Sequence, residues 1–194
     1  LALLLEQLQT RYHNAINCVL LYGSCLRGGD IFSGLLDLYL ICDDYSSSYG
    51  SWRLSFGNWL LPPNVFYAQA EHEGEILRSK VTVISRRDFR RGCSKRWFQS
   101  YIWGRFAQPT YIAYARDAKA RSAVEACLLD AANTLLNRAL PMLPPQGTIH
   151  GLWTGALNLS YATELRTERD GRAAELAAAA DQFYCTLSEH LADS

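Results

Sequence analysis

Apolar residues recur along the first turns of the chain at Leu1, Leu4, Leu5, Leu8 and Tyr12. That spacing predicts an amphipathic helix over residues 1–12. The period then changes. Residues 16–22 and 35–42 are short, almost unbroken apolar runs. Such runs predict strands buried on both faces. The segment between them, 24–34, is rich in glycine and polar residues and predicts a turn and a single helical turn. Residues 43–50 form a Ser/Tyr/Asp loop, and Pro62-Pro63 forces an extended chain into a strand over 65–69. Residues 80–85 alternate and are β-branched, which predicts another strand.

The second half reads differently. Ser94 is placed to cap a helix running through Trp97, Tyr101 and Phe106, which Pro109 ends. Val124, Leu128, Ala131 and Leu135 mark a long amphipathic helix stopped by Pro141. The three prolines and one glycine of 141–147 are the strongest linker signal. Beyond it come 151–168 and an Ala-rich helix with Leu176, Phe183, Leu187 and Leu191 on one face. The expected fold class is α/β (α+β): a small mixed sheet over residues 1–115, followed by a helical domain over 116–194.

Nineteen basic and nineteen acidic residues cancel. A balanced charge argues against a dedicated nucleic-acid binder, which carries a basic surplus. Within that balance Arg86, Arg87, Arg90, Arg91, Lys95 and Arg96 form a local cluster that suits lipid headgroups or an anionic bilayer. The six cysteines are scattered, with no Cys-x-x-Cys pair and no histidine at ligand spacing, so no structural zinc is expected. A reducing compartment fits them. No apolar run reaches the roughly 18 residues of a membrane span, and no leader is read at Leu1.

One feature of the apolar runs carries chemistry. Gly23-Ser24 closes the first buried run, and Asp37 stands inside the second. An unpartnered carboxylate in an apolar strand costs several kcal/mol, roughly, so an acid there has a cation or hydrogen-bond partner. Gly-Ser after one strand and an Asp in the next is the layout of the nucleotidyltransferase fold. Gly23 lets backbone approach a triphosphate, Ser24 and nearby amides bond phosphate oxygens, and Asp37 offers Mg²⁺ a hard oxygen ligand. The fold's usual second carboxylate, two residues away, is replaced by Leu35 and Tyr39. A second acid would come from Asp43, Asp44, Glu73 or Glu75. Asp43 lies roughly 20 Å along an extended strand and shares a metal with Asp37 only through a sharp bend.

Four stretches, in order, resemble one family. They are Asp37-Leu-Tyr-Leu-Ile-Cys-Asp43-Asp44; Lys80-Val-Thr-Val-Ile-Ser85; Trp97-Phe-Gln-Ser-Tyr101 continuing to Gly104-Arg105-Phe-Ala-Gln-Pro109; and Gly151-Leu-Trp-Thr-Gly155. The family is the mitochondrial-type CDP-diacylglycerol synthases (phosphatidate cytidylyltransferases, or translocator assembly and maintenance proteins), which has bacterial members. The resemblance implies a nucleotidyltransferase-fold domain and transfer of CMP from CTP to phosphatidic acid. It implies Mg²⁺ at Asp37, with Asp43 as a second candidate ligand. It also implies Lys80 in catalysis, and Gly23, Ser24, Lys80 and Arg105 on the nucleotide. The expected location is cytoplasmic, peripheral on the inner face of a membrane, or on the matrix side in a eukaryote.

The chain departs from the family at Gly155-Ala156, where members often carry Gly-Asp, and in its Ser-rich loop after Asp44, which lacks a histidine. Two other readings stay open: a nucleotidyltransferase with a soluble or protein acceptor, and a non-catalytic nucleotide-binding protein. The polar run Tyr161, Glu164, Arg166 and Glu168 reads as a solvated helix face.

Overall fold

The structure is a computed structural model that describes residues 1–27, 34–48, 56–57, 60, 63–72, 74–163 and 171–192. It is an α/β protein built around a mixed five-stranded sheet, with a helical part. It divides into two compact units, each made of two pieces of chain: Leu1–Arg90 with Thr110–Glu125, and Arg91–Pro109 with Ala126–Ser194. This is not the single division expected at residue 115. The reason is a strand that the sequence pattern did not suggest, which brings the chain back to the sheet after Pro109.

The first unit holds helix α1 (Ala2–Tyr12) and strands β1 (Ile16–Tyr22), β2 (Leu35–Cys42), β3 (Asn64–His72), β4 (Glu75–Ser85) and β5 (Tyr111–Ala115). The order across the sheet is β3-β4-β2-β1-β5. β2 and β4 run parallel, and every other neighbouring pair is antiparallel. A short helix α2 (Tyr45–Ser48) follows β2. Helix α3 (Arg86–Cys93) follows β4 directly.

Each face of the sheet has its own cover. Leu36, Leu38 and Leu40 alternate onto one face and meet Val81 and Val83 of β4 and Val19 and Leu21 of β1. Leu4, Leu8 and Tyr12 of α1 close this core, as the helical stripe required. On the other face Tyr39 packs edge-on to Tyr22 at 5.6 Å and lies 6.4 Å from Phe89 of α3. The apolar runs of β1 and β2 have no polar alternation because both of their faces are covered.

The arginine-rich segment Arg86–Cys93 is helical. Ser85 caps it: its Oγ accepts from the Asp88 backbone N–H at 3.1 Å, while the Asp88 carboxylate accepts from the Tyr45 and Ser85 hydroxyls. The helix expected from Ser94 onward shrinks to α4 (Trp103–Phe106), because residues 94–97 form tight turns instead.

The second unit is helical. It contains α4, most of α5 (Ala118–Ala139), and α6 (Ile149–Thr163), α7 (Arg172–Ala179) and α8 (Asp181–Ala192). The Ala-rich helix expected near the end is two helices, broken at Ala180. Trp153 stacks on Tyr184 with ring centres 4.5 Å apart and donates its indole N–H to Ser188 at 2.9 Å. The proline segment 141–147 joins two helices of this unit. No helix among the described residues is long and apolar enough to cross a membrane.

Candidate functional site

The site grows from the register of three strands. Asp37 is the third residue of β2; it faces Tyr22 across the antiparallel pair and Lys80 across the parallel pair. Lys80 in turn faces Tyr67 of β3. Register partners project from the same face of a sheet, with Cβ atoms about 5 Å apart. Tyr22, Asp37, Lys80 and Tyr67 therefore make one row across four strands. The next row inward contains Leu20, Tyr39, Thr82 and Val65, and it is here that Phe89 covers the face. The Asp37 row lies where that cover gives way to solvent: Asp37 and Lys80 are half-buried, and Tyr67 is 74% exposed.

Gly23 follows β1 and touches this row. Its φ is +92°, a conformation that glycine adopts without penalty. A Cβ at this position would stand 2.9 Å from Asp37 Oδ2. The backbone of Gly23 thus borders the carboxylate. Ser24 opens a single 3-10 turn, Ser24–Arg27, and is exposed. Asp37 thus has Lys80 as its register partner and the Gly23 backbone at its carboxylate, while Ser24 is the residue that follows Gly23.

Arg78 is a cation that the sequence reading passed over. It lies two residues before Lys80 on the same face of β4 and pairs with Leu35 and Gln69. The signal was there in the alternation of Arg78 and Lys80, but β4 begins at Glu75, five residues before the strand expected from the β-branched run. One face of β4 therefore sets two basic side chains beside the acid.

Asp43 belongs elsewhere. It follows the far end of β2, where Arg116 donates to it through Nη1 at 2.5 Å and Nη2 at 3.3 Å. Asn17 Nδ2 donates at 3.2 Å. The Arg116 hydrogen bonds hold its carboxyl below the ordinary carboxylate value. Backbone bonds complete the joint: Asp43 N–H donates to Ala15, and Arg116 N–H donates to Asn17. Asp43 thus ties the chain beyond β2 to β1 and to the residue that follows β5, and is not brought to Asp37. Its neighbour Asp44 is exposed and accepts from Ser46 Oγ. Glu75 opens β4, and alternation puts it on the face opposite Lys80. Glu73, Glu164, Arg166 and Glu168 lie outside the described residues.

Among the described residues no three His, Cys, Asp or Glu side chains form a metal-binding group. Mg²⁺ does not require one. It is commonly held by one or two carboxylates, with waters and substrate phosphates completing its octahedron. Asp37 alone suits an ion delivered with a nucleotide, and no described acid gives it a second protein carboxylate in its row.

Arg105 sits in α4, in the second unit, half-buried. Beside it Gln108 donates to the Gly104 carbonyl at 3.2 Å and faces the Tyr161 hydroxyl at 3.4 Å. Ala156, where the resembling family often has Asp, is wholly buried. Gly155 before it is a close-packing position, since a Cβ there would come within 2.5 Å of Leu143. The Gly155-Ala156 pair thus serves helix packing. The chain matches no protein-family model and no curated protein.

Proposed function

We propose that this chain is a CTP:phosphatidate cytidylyltransferase of nucleotidyltransferase fold, working with Mg²⁺ as a peripheral membrane enzyme. The observation that carries the reading is the meeting of Gly23, Asp37 and Lys80 at the open end of the sheet. The choice of CTP and phosphatidic acid rests on the four resembling stretches.

Each group has a role in this reading. The Gly23 backbone and the Ser24 hydroxyl bind triphosphate oxygens. Lys80 and Arg78 offset the charge that builds on the phosphates during transfer, the contribution that matters most when the protein does no covalent chemistry. Asp37 holds Mg²⁺, which when bound neutralises phosphate charge and orients the triphosphate. Arg105 as a phosphate contact follows from the resemblance alone. A phosphate oxygen of phosphatidic acid bonds to the α-phosphorus of CTP, the α–β bridge breaks, and pyrophosphate departs. That oxygen is already ionised at neutral pH, so no general base is needed.

A second reading is a non-catalytic nucleotide-binding protein. The single carboxylate in the Asp37 row favours it. The two are separated by pyrophosphate release from each of the four nucleoside triphosphates with Mg²⁺, with and without phosphatidate vesicles, for the wild type, Asp37→Ala and Lys80→Met. The proposal expects release that needs CTP and phosphatidate together. Asp37→Ala should abolish it, and Lys80→Met should lower it about 100-fold. Nucleotide binding without release under any combination would sink the catalytic reading. Release with CTP but with a soluble acceptor in place of the lipid would overturn the acceptor.

A further inference from the structure

We infer that the segment 94–99, a tight turn at 94–97 followed by the exposed Phe98, is the surface by which this chain seats on an anionic lipid bilayer. The inference rests on the peripheral membrane association proposed above and names the segment responsible.

The first observation is charge. Six of the nineteen basic residues and one of the nineteen acidic residues fall between Arg86 and Arg96, so eleven positions carry +5 and the rest of the chain −5. The one acid, Asp88, is turned inward onto Tyr45 and Ser85. It does not screen the cations. Arg91, Lys95 and Arg96 are all exposed.

The second observation is how the turn is held. Ser94 N–H donates to the Arg91 carbonyl and Trp97 N–H to the Ser94 carbonyl, both at 3.1 Å. Arg138 donates to the carbonyls of Lys95 at 3.2 Å and Trp97 at 3.0 Å. The Trp97 ring meets Tyr101 edge-on, and the Arg91 guanidinium lies 5.1 Å from its centre. Trp97 is thus anchored while the next residue, Phe98, is 90% exposed.

A single exposed aromatic is ordinary on a protein surface. This one differs because its backbone is clamped and exposed cations precede it. Such a surface suits a plane of phosphates: the cations meet headgroups while the ring enters the boundary between headgroup and acyl chain. A protein partner would need a pocket for the ring with acids arranged around it. A lipid surface meets all of these groups without such a match.

The test is sedimentation of the intact chain with phosphatidylcholine vesicles, with and without phosphatidylglycerol and without nucleotide. The variants are Phe98→Ser and the pair Lys95→Glu with Arg96→Glu. The wild type should bind only the anionic vesicles, and each variant should lose about tenfold or more in partitioning at an unchanged melting temperature. Variants that bind as well as the wild type would overturn the turn as the contact while leaving peripheral association standing. A wild type that binds neither vesicle would overturn both, independently of pyrophosphate release. If Phe98→Ser converts a dimer to a monomer in sedimentation velocity and leaves vesicle binding unchanged, the occupant is a second copy of the chain and the lipid assignment fails.

Discussion

Gly23 and Asp37 are packed so closely that a methyl group on the first would stand 2.9 Å from Oδ2 of the second. The strand that carries the acid and the turn that follows its neighbour are thus fitted to one another. Gly23→Ala faces two penalties: a positive φ that L-residues rarely adopt, and the collision itself. Urea denaturation should show a loss of about 1–3 kcal/mol. The cost should fall when the same change is made in an Asp37→Ala background, because the collision is then gone and only the φ penalty remains. Equal costs in the two backgrounds would mean that the two residues are not coupled.

The Asp43–Arg116 pair predicts a dependence on acid. Arg116 lowers the folded-state pKa of Asp43 below its ordinary 3.8. The pair therefore stabilises the fold above about pH 4, and that contribution disappears as pH falls through the lowered value. Both side chains are partly exposed, so solvent screening keeps the contribution below about 1 kcal/mol. Asp43→Asn should be slightly less stable than the wild type at pH 7. The two melting curves should converge as pH drops below about 4. A gap that persists in acid would assign the loss to packing instead.

The thiols should separate by burial. Cys18, Cys42, Cys93 and Cys127 are buried, while Cys25 and Cys185 are half-exposed. Burial pushes the Cys42 thiol up to about 11 and raises Cys93 well above its usual value. Mass spectrometry after iodoacetamide treatment at pH 8 should find label on Cys25 and Cys185 in the folded protein. Label on the other four should require denaturant. Rapid native modification of Cys42 would show that the β2 end opens readily.

The parts of this fold that could be read from the chain are those in which one residue pattern answers to one environment. The unbroken apolar runs of β1 and β2 announced strands covered on both sides, and Asp37 stood out because everything around it was apolar. The juxtaposition with Lys80 was less accessible. It depends on the parallel pairing of two strands separated by β3, and no local pattern specifies such a register. Strand β5 was missed because Tyr111–Ala115 is short and follows a proline. The segment Arg86–Cys93 was passed over as a helix because its charges hide Phe89, whose burial against Tyr39 gives the helix its place. Arg78 escaped notice because β4 extends beyond its β-branched stretch.

The pairing of β1 with β5 also has a consequence for biogenesis. The two strands are separated by most of the first hundred residues, so the sheet cannot be completed as the polypeptide emerges from the ribosome until Ala115 is available. Through that interval β1 presents a row of unpaired amides and carbonyls beside side chains that are apolar except for Asn17, an open template for intermolecular pairing. A nascent chain stalled after Arg90 has every strand of the sheet except this last one, and it is the species most exposed to aggregation and to capture by chaperones.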